Sequence, residues 1–280
     1  MTATQNALGS IVSLWRYPVK SMLGEELNAT DVTKGGLLAD RAYALVDRFD
    51  GKIASAKNPR KWPQLFDFRA ALAHLLTDEP KTGTQSPPLR ITLPDGTVIN
   101  SDQPDVNQIL SNVLKRDVTL NSTSPDPRTA TAEEYWPDIE GLDHRDTVTD
   151  FGLPEGTFFD AAVVHLLTTS TLDRLHALYP QGRFEARRFR PNMVVATEPG
   201  ESNFVEDAWI GKTLAIGDAV RLSITAPCFR CVMTTLAQGD LPKDAGILRT
   251  AAQHHKASVG IYASVLQGGK VRRGDSVRLQ

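Results

Sequence analysis

The chain's only two cysteines stand two residues apart, in Ala226-Pro227-Cys228-Phe229-Arg230-Cys231-Val232-Met233-Thr234-Thr235. Four chemistries suit such a pair: a dithiol couple, half of a zinc site, one working thiol beside a bystander, or two small buried apolar side chains. A dithiol couple of the thioredoxin kind opens a helix whose N-terminus favours the thiolate. The residues that follow here, Val232 to Pro242, lack a helical pattern. A structural zinc site takes four ligands, yet there is no second CxxC, and His254 and His255 are adjacent rather than at ligand spacing. A buried free cysteine packs as a small hydrophobe. A single working thiol needs a cationic or metal partner, because a free thiol is only a few per cent ionised near neutrality. Arg230 beside the pair favours the thiolate.

The second set of residues is basic. Lys20 and Ser21 lie in the turn after the first apolar stretch. Arg41 follows Gly35-Gly36 and opens the next one, and Arg187, Arg188 and Arg190 precede Pro191-Asn192. Singly, each reads as a solvated charge. Together they suit a phosphorylated ligand: arginine offers a bidentate fork, lysine a point charge, and hydroxyls complete the phosphate's hydrogen bonds. Thr168, Thr169 and Ser170 at a helix start add N–H donors of the kind anions favour. His165, on an apolar strand, reads as a core histidine. No GxGxxG, Walker loop or HExxH occurs.

These residues must be positioned by a mostly β chain. Ile11, Ser13 and Trp15 alternate with Val12 and Leu14, and Pro18 ends that strand. Residues 41–56 read as a hairpin turning at Asp50-Gly51, residues 89–101 as one turning at Asp95-Gly96, and residues 214–225 as one turning at Gly217-Asp218. Residues 77–88 are a loop by composition, and Val106, Ile109, Leu110 and Leu114 have helical spacing. Residues 121–157 are poor in periodicity and rich in Pro, Asp, Thr and Ser, which marks a connecting segment between a unit at 8–120 and one at 158–280. Tyr135 and Trp136 indicate that part of it packs. From Ala161 a buried strand runs into a helix capped by one of Thr168–Thr171, with Asp173 in its first turn. The expected class is strand-rich α+β with barrel-like sheets.

At 280 residues the chain supports a sizeable core and two domains. A formal net charge of −2 argues against a general nucleic-acid binder. The polar N-terminus lacks the layout of a signal peptide, and no apolar run approaches the ~20 residues that span a bilayer. Two cysteines are too few for a secreted disulfide scaffold, so the expected location is cytoplasmic.

Several stretches then stand together. YPVKSMLG, LLADRAYALVD, RFRPNMVV, CFRCVMTT and VRRGDSVRL occur in that order. In content and order they resemble the MOSC family, over roughly residues 8–280. The front half is similar to the β-barrel domain that accompanies MOSC and the back half to MOSC itself. The members most resembled are bacterial relatives of the mitochondrial amidoxime-reducing component.

The resemblance implies a molybdopterin cofactor between the two domains, with one cysteine on molybdenum. By motif position that cysteine is Cys231, with Cys228 behind it. Lys20, Ser21 and Arg41 would hold the pterin phosphate. Arg190, Asn192 and Arg230 would contact the cofactor from the second domain, and Thr168, Thr169 and Ser170 would join them. No four-cysteine segment for an iron–sulfur cluster is present, nor an aminotransferase-like unit that would carry PLP, nor a membrane anchor. Electrons would therefore come from a separate ferredoxin-like or flavin protein. Two functions follow from the resemblance. One is an oxidoreductase that reduces N-hydroxylated small molecules such as amidoximes and hydroxylamines. The other is a carrier of the cofactor, or of persulfide sulfur on Cys231, and a third reading keeps the fold without a cofactor. Turnover with a reductant separates the first from the second.

Overall fold

The computed structural model describes residues 7–73, 86–122, 130–197 and 200–280. Most of the loop expected at 77–88 lies outside the described residues. Among those residues no helix is long and apolar enough to cross a membrane.

Seven strands close a barrel. Ala7–Arg16 is followed around the ring by Met193–Ala196, Val164–Thr168, Ser258–Gln267, Val220–Phe229, Thr213–Ile216 and Ser276–Leu279, which returns to Ala7–Arg16. Ile11, Leu166, Val195, Leu214, Leu222, Ile261 and Val277 meet in one core, each almost wholly buried. The strand at Ala7–Arg16 comes from the front of the sequence, yet it closes a barrel built otherwise from residues 164–279. Gly9 makes this closure possible. A Cβ there would lie 1.7 Å from the Ala196 carbonyl oxygen. The one parallel pair in the ring, Val164–Thr168 with Met193–Ala196, is joined through the helix Thr169–Leu178. Parallel neighbours require such a crossover.

The rest of the front half packs around a second core of Val19, Met22, Leu45, Phe68, Leu89, Ile91, Leu110 and Val118. The hairpin Leu89–Thr92/Val98–Asn100, the hairpin Thr213–Ile216/Val220–Phe229 and the helix Val106–Leu114 form where hydropathy and turn residues indicate. Met233, from the back half, is buried in this front core, with Cys231 and Leu236 against its edge. The cysteine stretch thus plugs one half into the other.

Three local expectations change. Residues 41–56 form a short hairpin rather than a full one. The arms join at the Val46–Ile53 bridge, where the Asp47 amide donates to the Lys52 carbonyl at 2.9 Å and the Ala54 amide to the Leu45 carbonyl at 2.8 Å, while Ala44–Asp47 pairs on its other side with Val118–Asn121. The return arm also reaches Thr131, whose carbonyl accepts from the Ile53 amide at 2.8 Å. The segment 121–157 contains an antiparallel pair, Thr131–Trp136 with Thr147–Gly152. Its buried positions are Ala132 and Glu134, so a carboxylate stands where a strand pattern expects an apolar residue. Glu134 is tolerated because Lys57 Nζ lies 3.4 Å away. Thr168 caps its helix by accepting from the Thr171 amide at 3.1 Å, but the helix begins at Thr169 and has no acidic residue in its first turn, so Asp173 falls later.

Candidate functional site

A cleft of about 690 Å³, counting its open mouth, lies between the halves. Lys20, Arg41 and Lys57 line it from the front half, and Arg190, Arg230 and Cys231 from the back. Among the described residues Asp160 is the lone carboxylate on its wall. Phe158, Phe159, Ala161, Ala162, Phe189, Phe229, Met233 and Tyr262 supply apolar surface, and Ser21, His165 and Asn192 complete the lining.

Pro18 stops the first strand, and the chain turns through Lys20 and Ser21 into the cleft. Ser21, Arg41 and Arg190 all have left-handed backbones, with φ of 66°, 48° and 53°. Each costs a non-glycine residue roughly 1–2 kcal/mol, so surrounding bonds must hold it. Buried Asp40 is the hub of those bonds. Its Oδ1 accepts from the Tyr17 amide at 2.7 Å. Its Oδ2 accepts from Asn192 Nδ2 at 2.8 Å and pairs with Arg41 Nη1. Asn192 also takes the His165 amide on Oδ1 at 3.0 Å, so its amide group serves chiefly to lock the two halves together. Arg190 Nη1 donates to the Met22 carbonyl at 2.6 Å. The guanidiniums of Arg41 and Arg190 lie 4.5 and 4.2 Å from the centre of the Tyr17 ring. Burial, then the charge of Arg41, lowers Arg190 to about 10, so it stays cationic at neutral pH. Ser21 Oγ accepts from the Ala56 amide at 3.0 Å and leaves its own proton to give.

The strand Val220–Phe229 carries Cys228 into the interior, and Cys231 opens a single 3-10 turn, Val232–Thr235. Cys228 is wholly buried, whereas Cys231 faces the cleft. Arg230 does not serve the cleft-facing thiol. Its Nη1 donates to Cys228 Sγ at 2.6 Å, and its Nη2 to the Phe189 carbonyl at 2.9 Å. Burial pushes the Cys228 thiol up, but Arg230, then His165, more than offset this and bring it to about 6. Burial and then Glu134 push Cys231 up to about 11, against Lys57 and Arg230. Arg230 thus favours the charged form of Cys228, while burial disfavours it at the reachable Cys231. Gly260 sits against this wall. A Cβ there would come within 2.4 Å of His165 Nε2.

Not every residue singled out from the sequence converges. Thr168, Thr169 and Ser170 are absent from the cleft wall. Thr168 donates to buried Glu206 at 2.6 Å, Ser170 to the Asn203 carbonyl at 2.7 Å, and Thr169 faces Thr197. A helix start next to a buried carboxylate is already occupied by its own anion. Arg187 pairs with Glu185 and Asp240. Fully buried Arg188 donates to the carbonyls of Arg183, Thr234, Leu236 and Pro242. His165 is buried, with Nε2 3.2 Å from the Val259 carbonyl, yet its ring also forms part of the wall. Lys57, Asp160 and Tyr262 were not identifiable as site residues from local pattern. Among the described residues no three His, Cys, Asp or Glu side chains cluster as metal ligands.

Residues 8–124 match the MOSC N-terminal beta barrel domain, and residues 154–278 match the MOSC domain. The chain belongs to the MOSC family. Molybdenum cofactor sulfurase of Oryza sativa is 27% identical across 94% of this MOSC chain. The match spans only 33% of the sulfurase, so the chain corresponds to about a third of that relative. Mitochondrial amidoxime reducing component 2 of Rattus norvegicus is 26% identical, over 96% of this chain and 83% of the relative. Mitochondrial amidoxime-reducing component 1 of Mus musculus is 25% identical over 82% and 66%. Among solved structures, the YUAD protein from Bacillus subtilis aligns over 97% of this chain and 94% of its own, with a TM-score of 0.45 and 11% identity.

Proposed function

We propose that the cleft binds a molybdenum–pterin cofactor through its phosphate and through Cys231, and that the protein reduces N-hydroxylated small molecules. The observation that carries this reading is the convergence of three buried or half-buried cations, Lys20, Arg41 and Arg190, with one accessible thiol. A phosphorylated group ligated by one thiolate fits that donor set. The fit is supported by Arg230, whose Nε is buried without a partner, and by a wall that holds a single carboxylate. The names of the relatives point the same way.

The chain's residues then divide the work. Lys20 and the Arg41 and Arg190 forks hold the anionic end, and Ser21 donates its hydroxyl. A soft thiolate suits a high-valent metal, and coordination strips the thiol proton, so the raised value of Cys231 belongs to the metal-free protein. When bound, the group supplies the two-electron chemistry that removes oxygen from nitrogen. Phe158, Phe159 and Phe189 supply the buried apolar part of the wall beside the thiol. Electrons come from a separate ferredoxin-like or flavin protein.

A carrier of cofactor or of persulfide sulfur is the second reading, favoured by the likeness to the sulfurase and by the accessible Cys231 thiol. One comparison separates the two: wild type and Cys231→Ser purified from a host that makes the cofactor, with molybdenum and pterin assayed, then hydroxylamine turnover with a reductant. Near-stoichiometric molybdenum in wild type, its loss in Cys231→Ser, and turnover are expected. Loaded protein without turnover favours the carrier. No molybdenum or pterin in either protein sinks both cofactor readings.

A further inference from the structure

Removing oxygen from a hydroxylamine consumes protons as well as electrons, and the cleft contains few groups able to give one. Arg41, Arg190 and Arg230 keep their protons at any physiological pH. His165 Nε2 faces the Val259 carbonyl. Lys20 is engaged on two sides, donating to the Phe158 carbonyl at 2.9 Å and pairing with Asp160, and burial lowers it.

Lys57 is different. Its backbone is fixed: the carbonyl accepts from the Tyr135 amide at 2.8 Å and the amide donates to Ser55 Oγ at 3.2 Å. Its ammonium sits 3.4 Å from Glu134 Oε2, 3.4 Å from Asp160 Oδ2 and 4.3 Å from the centre of the Phe151 ring. Two carboxylates at long range and an aromatic face aim the group while leaving N–H capacity toward the cleft it lines. The two carboxylates favour the charged form of the ammonium against its burial, so the donor stays loaded.

We propose that Lys57 Nζ donates the proton that lets the substrate's hydroxyl leave as water, with Asp160 and Glu134 as positioning residues. The inference rests on the reductase reading above. The balance is R–NHOH + 2e⁻ + 2H⁺ → R–NH2 + H2O. The bound cofactor would supply the two electrons, drawn from a ferredoxin-like or flavin protein. The N–O bond breaks, Lys57 Nζ protonates the departing oxygen, and the nitrogen takes its proton from water. Water at the cleft mouth recharges Lys57. The departing oxygen would otherwise leave as hydroxide, the conjugate base of water at a pKa of about 15.7. Transfer from an ammonium is therefore downhill.

The test uses cofactor-loaded wild type, Lys57→Arg and Lys57→Ala, with hydroxylamine as substrate and a reduced viologen as electron source. Molybdenum and pterin contents are measured first. Contents within about twofold of wild type are expected in both variants, with kcat falling by about 10²–10⁴. Methylammonium should restore Lys57→Ala and not Lys57→Arg, and wild type should show a solvent deuterium effect on kcat. A fast Lys57→Arg, or loss of molybdenum or pterin from it, overturns the proposal, since charge or cofactor binding would then be the role of Lys57. If neither variant folds, wild type decides: no solvent isotope effect overturns the donor. A loaded wild type that never turns over hydroxylamines overturns the reductase reading and this inference together, before any variant is compared.

Discussion

Two like charges of the cleft share one phenol buried behind its wall. Arg41 and Arg190 come from different halves, repel each other, and stack on the same Tyr17 ring. A buried cation–π contact contributes up to about 2 kcal/mol, enough to offset part of that repulsion. The Tyr17 hydroxyl itself is buried without a partner, which costs about 1–3 kcal/mol. Tyr17→Phe should therefore match or exceed wild type in urea unfolding. Tyr17→Leu should lose about 2–4 kcal/mol and weaken inorganic pyrophosphate binding to the cofactor-free protein. Equal pyrophosphate affinity in wild type and Tyr17→Leu would refute the clamp. At this scale Lys20, Arg41, Arg190 and Cys231 were legible because each sits in a short motif. Asp40, which ties Tyr17, Arg41 and Asn192 together, was not, because its partners lie 152 positions apart in the longest case. Lys57 was hidden similarly: its two carboxylates come from separate segments.

The helix Thr169–Leu178 starts above Glu206, whose Oε2 accepts from Thr168 and Thr171 at 2.6 and 2.7 Å. Its Oε1 is buried and unpartnered. Burial raises this carboxyl above its ordinary 4.5, and the two hydroxyls only partly oppose that. A carboxyl raised in the folded state gives its full stability below the unfolded value and loses it as pH rises through the folded one. Replacing it with an uncharged amide removes that loss. The stability of Glu206→Gln relative to wild type should therefore climb with pH above about 4.5, by up to about 1.4 kcal/mol per pH unit. Urea midpoints across the range from about pH 5 to about pH 8 test this, and a flat difference would count against a buried charge. The helix itself was readable from its hydroxyl-rich start and apolar spacing. The pair Thr131–Trp136 and Thr147–Gly152 was not, since its inward Glu134 breaks the alternation that betrays a strand. The Asp95-Gly96 and Gly217-Asp218 hairpins were plain because their turns are local.

The whole molecule is held by the strand Ala7–Arg16, which fills the gap between Met193–Ala196 and Ser276–Leu279. Without it the barrel has two open edges, and unpaired edges invite association. Residues 154–280 made alone should be aggregated or oligomeric, and co-expression with residues 1–153 should return a monomeric, pyrophosphate-binding complex. Size-exclusion chromatography decides it, and a soluble monomeric back half would show that closure does not depend on the front strand. Local pattern identified that segment as a strand but could not name its neighbours, because hydropathy gives a strand its faces and not its partners.

That closure also sets an order of events in the cell. Arg16 leaves the ribosome long before Ser276 is made, a wait of roughly 10–50 s at ordinary rates of synthesis. Through that interval the first strand has no lasting partner on one side, and the cleft, which needs both halves, does not exist. Any guest of the cleft must arrive after the strand Ser276–Leu279 has been made, and a nascent-chain chaperone has the whole of the interval in which to guard one ten-residue strand.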